Sequence, residues 1–384
     1  MAMNAFTDDA KYLSRHTNLI VLDAHAPALA AVAPAWQGRV MTSTPAGPKG
    51  ASLGWINRQF IESGRRGTAF DNYGGEDRFW LGPEGGQFGL WFKEGDPFDL
   101  AHWRTPEGFN TGQFSVSSQG PASLAMAAQF DVANRSGATF AAAVKRIIDV
   151  LGREEIARHL GMALPGGIAA VAFQSTNTLA NVGEKTWTRA GGLLSIWTLG
   201  QFAPLPRGLV IVPFRAGDEA ELGPMPNGEY FGPVPPERFG IHGDHVLFRC
   251  DGKFRSKLGV CPGRAKDVLG SYDPDQRLLT IVQFSLPAGA ARLPYVNSLW
   301  EIQDAPFAGD AVNSYNDGEE APGAGQMGPF YEIETSSPAA ELSPNQAVVH
   351  VHRTFHFAGE FDQLNALSRK VLGVDLSTIS FPEG

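Results

Sequence analysis

Gln346-Ala-Val-Val-His-Val-His-Arg-Thr-Phe-His-Phe357 decides how the chain is read. Side chains of an extended strand point alternately to its two faces. Ala347, Val349, Val351, Phe355 and Phe357 then share one face, interrupted only by Arg353, and Gln346, Val348, His350, His352, Thr354 and His356 share the other. Three of the nine histidines line one surface, which is unusual for a strand face that is merely wet.

Upstream, Phe330-Tyr-Glu-Ile-Glu-Thr335 alternates in the same way, with Glu332 and Glu334 on one face and Tyr331, Ile333 and Thr335 on the other. The segment Ser336 to Asn345 contains two prolines and can return the chain as a hairpin. Neighbouring strands with matched polar faces would set two carboxylates beside three imidazoles. Such groups can exchange protons near neutral pH as general base and acid, or ligate zinc or a similar ion; a solvated face is the plain alternative. His356 lies six residues from His350, roughly 20 Å along a strand, which is too far for one shared ion without a bulge. The expectation is therefore acid–base chemistry without a cofactor, a divalent metal at the histidines being the alternative.

Further out, short runs rich in β-branched and aromatic residues recur between Gly, Pro, Asp and Asn clusters. They include Leu19–Leu22, Phe88–Phe92, Ile168–Phe173, Leu193–Leu199, Leu209–Phe214, Leu278–Phe284 and Val296–Ile302. Many short strands with turn signals between them read as a sandwich or barrel. The 45 glycines and 27 prolines among 384 residues exceed the usual share of roughly 12%, as a turn-rich β protein requires. Helical periodicity shows in two places: Phe140, Val144, Ile147, Ile148 and Leu151, and, near the C-terminus, Phe361, Leu364, Leu367 and Leu372 before Gly373. The expected architecture is one mainly-β antiparallel sandwich domain over 1–384, with a helical insertion at 138–162 and a C-terminal helix.

The chain has 31 Lys and Arg against 40 Asp and Glu, a net charge of −9, and no basic stripe, which argues against nucleic acid as a partner. No apolar stretch approaches the 18 or so residues of a spanning helix, so no membrane insertion is expected. The N-terminal residues carry Asp8 and Asp9 and no apolar core of a signal peptide. The expectation is a soluble protein, cytoplasmic, or periplasmic if a leader has been lost. Cys250 and Cys261 are too few for a disulfide framework and read as free thiols.

A second dense stretch is Asn72-Tyr-Gly-Gly-Glu-Asp-Arg-Phe-Trp-Leu-Gly-Pro-Glu-Gly-Gly86. Glu76, Arg78 and Trp80 alternate onto one face and Glu84 sits in a glycine-bracketed turn. An indole beside a guanidinium and carboxylates suits a polyol, whose C–H surface packs on the ring while charges take its hydroxyls; an internal salt bridge with a core tryptophan is the alternative. Trp91, His102, Trp103 and Arg104 could extend the rim. A third stretch, Asn313-Ser-Tyr-Asn-Asp-Gly318, places Asn316 and Asp317 in a turn close to Glu332 in sequence. Gly50-Ala-Ser-Leu-Gly54 fits G-x-S-x-G but follows a Pro/Gly-rich loop, not the buried strand a nucleophile elbow needs.

These residues carry a resemblance. Gly74-Gly-Glu-Asp-Arg-Phe-Trp-Leu-Gly-Pro-Glu84 resembles the early "GG…R.W..PE" strand pair of the galactose mutarotase-like (aldose 1-epimerase-like) superfamily. Phe330-Tyr-Glu-Ile-Glu-Thr-Ser-Ser-Pro338, followed by Leu342-Ser-Pro, is similar to its late "E..SP…L.PG" element. With Lys257-Leu-Gly-Val260 and Gly270-Ser-Tyr-Asp273 the likeness runs from about Ile20 to Phe357, and it fits best with an uncharacterised bacterial branch. The resemblance implies a β-supersandwich whose concave face binds sugars, with Glu332 or Glu334 matching the glutamate that deprotonates the anomeric hydroxyl. The family's Asn-His-x-Tyr-Phe motif, source of its acid, has no counterpart: Asn177 to Trp187 and His242-Gly-Asp-His245 do not reproduce it.

Taken together, a sugar or oligosaccharide is the expected partner. The leading expectation is an epimerase-like isomerase of a sugar or uronate, with Glu332 or Glu334 as base and one of His350, His352 and His356 as acid. Glu76, Arg78, Trp80, Glu84, His102, Asn316 and Asp317 are the expected substrate-binding residues. A glycoside hydrolase, with carboxylates about 5 to 9.5 Å apart, a metal-dependent polysaccharide lyase and a non-catalytic carbohydrate-binding protein are the alternatives.

Overall fold

The computed structural model describes residues 3–23 and 25–380. Ala347–Ala358 is a strand, bordered by Leu278–Phe284 on one side and Ala169–Asn181 on the other. It lies inside a ten-stranded antiparallel sheet that runs, edge to edge, Phe239–His242, His245–Arg249, Leu209–Pro213, Val268–Asp273, Leu278–Phe284, Ala347–Ala358, Ala169–Asn181, Thr139–Val150, Ser123–Ala133 and Ser115–Gln119. A five-stranded antiparallel sheet, in the order Ser256–Val260, Val312–Asn316, Tyr331–Ser336, Ser195–Phe202 and Arg78–Gly82, packs on it. Ile20–Leu22, Leu29–Ala33 and Arg39–Thr44 form a third, small sheet.

Period-two alternation decides what each face of the large sheet meets. Its outer face presents Phe355, Phe357, Leu279 and Ile281 to two helices, Arg153–Leu160 and Phe361–Val371, through Ile156, Leu160, Leu364 and Leu367. The C-terminal helix starts at a capping box, Glu360 with Gln363, and ends before Gly373 at φ +74°, a backbone that glycine adopts without strain. The inner face presents Val210, Val212, Val282 and Phe284 to Leu258, Val260, Tyr331 and Ile333 of the five-stranded sheet.

The helix expected across 138–162 exists only as Arg153–Leu160; Thr139–Val150 is a long strand. Phe140, Ala142, Val144, Ile148 and Val150 alternate inward, and the arginine that interrupts them, Arg146, is fully buried. A charge at a core position hid the period of two behind a chance spacing of three and four. Phe88–Phe92 and Val296–Ile302 are irregular segments, not strands, and their buried aromatic and apolar residues, Trp91 among them, cover the five-stranded sheet.

Candidate functional site

Tyr331–Ser336 is the central strand of the five-stranded sheet, so its alternation assigns residues to two environments. Tyr331 and Thr335 face the large sheet: the Tyr331 hydroxyl is 2.8 Å from Ser271 Oγ, and Thr335 Oγ1 is 2.8 Å from His350 Nε2 and 2.9 Å from His352 Nδ1. Glu332 and Glu334 face away from it. The carboxylates and the three histidines therefore lie on opposite faces of one sheet, which corrects the expectation of a shared Glu/His pocket. The two strands are not a hairpin pair: Tyr331–Ser336 bonds Ser195–Phe202 and Val312–Asn316, whereas Ala347–Ala358 belongs to the other sheet.

His356 is in the interior too, its Nε2 2.9 Å from Glu76 Oε2 and its Nδ1 2.9 Å from Thr280 Oγ1. Glu76 also accepts from the Ser43 hydroxyl at 2.8 Å. It thus leaves the face of Arg78 and Trp80, because the strand begins only at Arg78 and Glu76 sits in a bend that follows Gly74 and Gly75, at φ +89° and +111°. Burial pushes His350 down to about 3, with His352 adding to the effect, and His352 down to about 4. Both rings are neutral at physiological pH. Among the described residues no three His, Cys, Asp or Glu side chains are grouped to hold a metal ion.

The opposite face carries a charged pocket with aromatic walls. Arg78 Nη2 donates to Glu332 Oε1 at 2.8 Å, and its guanidinium lies 3.9 Å above the Trp80 ring. Lys257 Nζ is 3.0 Å from Glu334 Oε2, which also accepts from Trp197 Nε1 at 2.9 Å. Trp103 Nε1 donates to Glu84 Oε1 at 2.7 Å. Phe70, Phe231, Trp300 and Tyr315 complete the walls, and Arg255 stacks 3.9 Å above Phe231. The space among these groups is about 40 Å³, which admits the edge of a ligand ring rather than the whole ring.

Glu332 lines this space, whereas the Glu334 side chain is wholly buried beneath Lys257 and Trp197. Burial raises the Glu332 carboxyl to about 7; Arg78 opposes the rise and the nearby Glu334 adds to it. Burial also raises Glu84, against the pull of Lys257. For Lys257, burial works against the ammonium, but Glu334 and Glu84 more than offset it and raise its pKa, so it is charged. Arg78 Nε and Nη1, Trp80 Nε1 and Glu334 Oε1 are buried without a hydrogen-bond partner. An unmet buried polar group costs about 1–3 kcal/mol, so their arrangement is one that a polar ligand or ordered water would complete.

Of the residues singled out from sequence, Arg78, Trp80, Glu84 and Glu332 meet here, with Glu334 directly behind. Asn316 and Asp317 lie one layer back. Asn316 Nδ2 donates to Phe254 O at 2.8 Å, and Asp317, raised to about 6 by burial, accepts from the Tyr315 hydroxyl at 2.7 Å and from Gly328 N at 2.9 Å. His102 is on the surface, 2.6 Å from Asp99, away from the pocket. Lys257, Arg255, Trp197 and Phe231 were not anticipated as site residues. The one available signal was Lys257 itself, a lone cation within Ser256–Val260, a run otherwise suited to burial.

No curated protein matches the sequence. Among solved structures, the putative aldose 1-epimerase from Escherichia coli K12 is similar at 13% identity and a TM-score of 0.51, over 88% of this chain and 98% of that one. A protein from Synechocystis sp. PCC 6803 is similar at 12% identity and a TM-score of 0.50, over 90% and 96% of the two chains. At such identities the likeness is one of fold, and it bears out the galactose mutarotase-like sandwich read from the motifs around Arg78 and Glu334. With residues 4–381 matched by its profile, the chain belongs to the Family of unknown function (DUF6786), built on the galactose mutarotase-like fold.

Proposed function

We propose that the protein is a carbohydrate-directed isomerase in which Glu332 moves the proton of an anomeric hydroxyl. The observation that carries this reading is Glu332 itself: a carboxyl at the rim of an aromatic pocket, oriented by Arg78 and poised near pH 7, where a general base is most effective. The indole and phenyl walls suit the C–H faces of a pyranose, and the fold it shares with a putative aldose 1-epimerase lends support. In the proposed reaction the Glu332 carboxylate takes the O1 proton, the C1–O5 bond breaks as C1=O1 forms, and the ring oxygen receives a proton from the Lys257 ammonium. Rotation about C1–C2 and reclosure on the other face of the carbonyl, with both protons returned, inverts the anomeric carbon. Lys257 here takes the part first expected of a histidine. Arg78 holds Glu332, and Glu334 keeps Lys257 charged and in place.

The test is anomer exchange followed by NMR saturation transfer across a panel of aldoses and uronic acids, with wild type and Glu332→Gln. Catalysed exchange that the variant lacks, with sugar binding retained, supports the reading. Binding without exchange would make it a carbohydrate-binding protein, and release of new reducing ends from oligosaccharides would make it a hydrolase.

A further inference from the structure

The sheet face that carries Glu332 continues past Lys257. Gly259, two residues on, shares that face by alternation, and its lack of a side chain matters: a Cβ there would lie 2.0 Å from Asp310 Oδ2. Asp310 thus folds over the strand, and Asn313, paired with Gly259 on one side and Glu334 on the other, brings its amide to 3.3 Å from Asp310 Oδ2. The Asp310 carboxyl faces a second cavity of about 470 Å³, well within the roughly 300–1,000 Å³ of ligand sites.

The two cavities are neighbours. Tyr230 and Leu299 line the second, while the residues next to them in the chain, Phe231 and Trp300, line the first. Lys257 Nζ stands 5.2 Å from the Tyr230 ring centroid as well as beside Glu334. The narrow Glu332 pocket takes the edge of a ring, so the remainder of a larger substrate must lie outside it, and the roomy cavity is the adjoining space. Its lining includes Asp310, Glu219 and Glu221 but no lysine, arginine or histidine, which disfavours a phosphate or uronate there and suits neutral hydroxyls. Tyr230 and Phe307 supply aromatic surface for a ring to lie on.

We propose that this second cavity is a subsite for a further, neutral sugar residue, so that the substrate is a disaccharide or longer saccharide whose second ring donates hydroxyl hydrogen bonds to Asp310. The inference rests on the carbohydrate reading of the Glu332 pocket. Burial raises Asp310 to about 6, with Asn313 and Lys257 opposing, so the acceptor is charged at neutral pH and is lost on acidification.

The experiment is calorimetric titration of the whole protein with matched pairs: glucose against maltose and cellobiose, and galactose against lactose. Two variants accompany wild type: Asp310→Asn removes the charged acceptor, and Ala308→Trp fills the cavity from its exposed rim. The expected result is that at least one disaccharide binds wild type about tenfold or more tighter than its monosaccharide, and that both variants remove this advantage while monosaccharide binding stays as it was. Equal binding of monosaccharide and disaccharide by wild type would overturn the subsite and leave the Glu332 pocket standing, as would an advantage untouched by either variant. Failure of every sugar to bind would overturn both.

Discussion

The two faces of the five-stranded sheet are built from similar residues and differ in what their polar atoms are left free to do. On the face buried against the large sheet, Arg146 is engaged by Asp77, by Asn177 Oδ1 at 2.6 Å and by Gly38 O at 2.9 Å, while Ser175 donates to Asp77 and His356 to Glu76. That network ties each of its charges to a partner, and the atoms left without one, Thr198 Oγ1, His352 Nε2 and Thr354 Oγ1, belong to neutral groups. On the other face Arg78 has one partner and two idle nitrogens, Glu334 has an idle oxygen, and the charges border an opening. Buried charges that satisfy one another hold a structure together, whereas buried charges with unused valence beside a cavity await a ligand.

The largest effect that would separate the two faces is catalytic. Glu332→Gln should lower kcat/KM by roughly 10²–10⁴, the usual worth of a general base, and wild-type kcat/KM should rise with pH through a midpoint near 7. The same variant should not lose stability. A carboxyl raised to about 7 when folded, but near 4.5 when unfolded, disfavours folding increasingly as pH climbs from about 4.5 to 7, so the amide should melt no lower than wild type at neutral pH. Arg146→Met should do the reverse. Leaving Asp77 buried and unpaired should cost about 3–5 kcal/mol in urea unfolding, with sugar affinity of the folded fraction unchanged; a binding loss as large as that of a pocket variant would merge the two faces into one site.

A smaller effect concerns acid. His350 and His352 titrate near 3 and 4 when folded and near 6.5 when unfolded. Between those values the unfolded chain holds more protons, so stability falls as pH drops from about 6.5, by up to about 1.4 kcal/mol per pH unit for each ring. The double variant His350→Gln, His352→Gln should flatten this slope, as read from urea midpoints at several pH values; an unchanged slope would remove the histidines from the closed network. The smallest effect is at His102, on the surface beside Asp99: His102→Ala should change neither melting temperature nor sugar affinity.

Alternation within single strands was legible. The faces of Tyr331–Ser336 and Ala347–Ala358 follow from period two, and so does the grouping of Glu332 with Glu334 and of His350 with His352 and His356. Which strand lies beside which was not, because pairing depends on contacts distant in sequence: Glu332 lies opposite Gln201 and Tyr315, and His356 opposite Thr280. A hairpin between the two informative strands was the shortest connection, and the protein instead places them in different sheets. Arg78, Trp80 and Glu84 reached the pocket from a strand and turn whose residues signalled it. Glu76 did not, since the strand begins only at Arg78 and Glu76 sits in a bend before it, outside the alternation. Arg146 misled for a related reason: a buried charge in Thr139–Val150 interrupts the very pattern by which a buried strand is recognised.

A crystal structure of the protein soaked with a sugar that it binds in solution tests the central claim most directly. The anomeric edge of the ring should enter between Trp80 and Phe231 with its anomeric oxygen within hydrogen-bond distance of Glu332, and Arg78 Nε or Nη1 should acquire a partner. A sugar seated among His350, His352 and His356, or one bound at the pocket with Glu332 turned away and still tied only to Arg78, would contradict it.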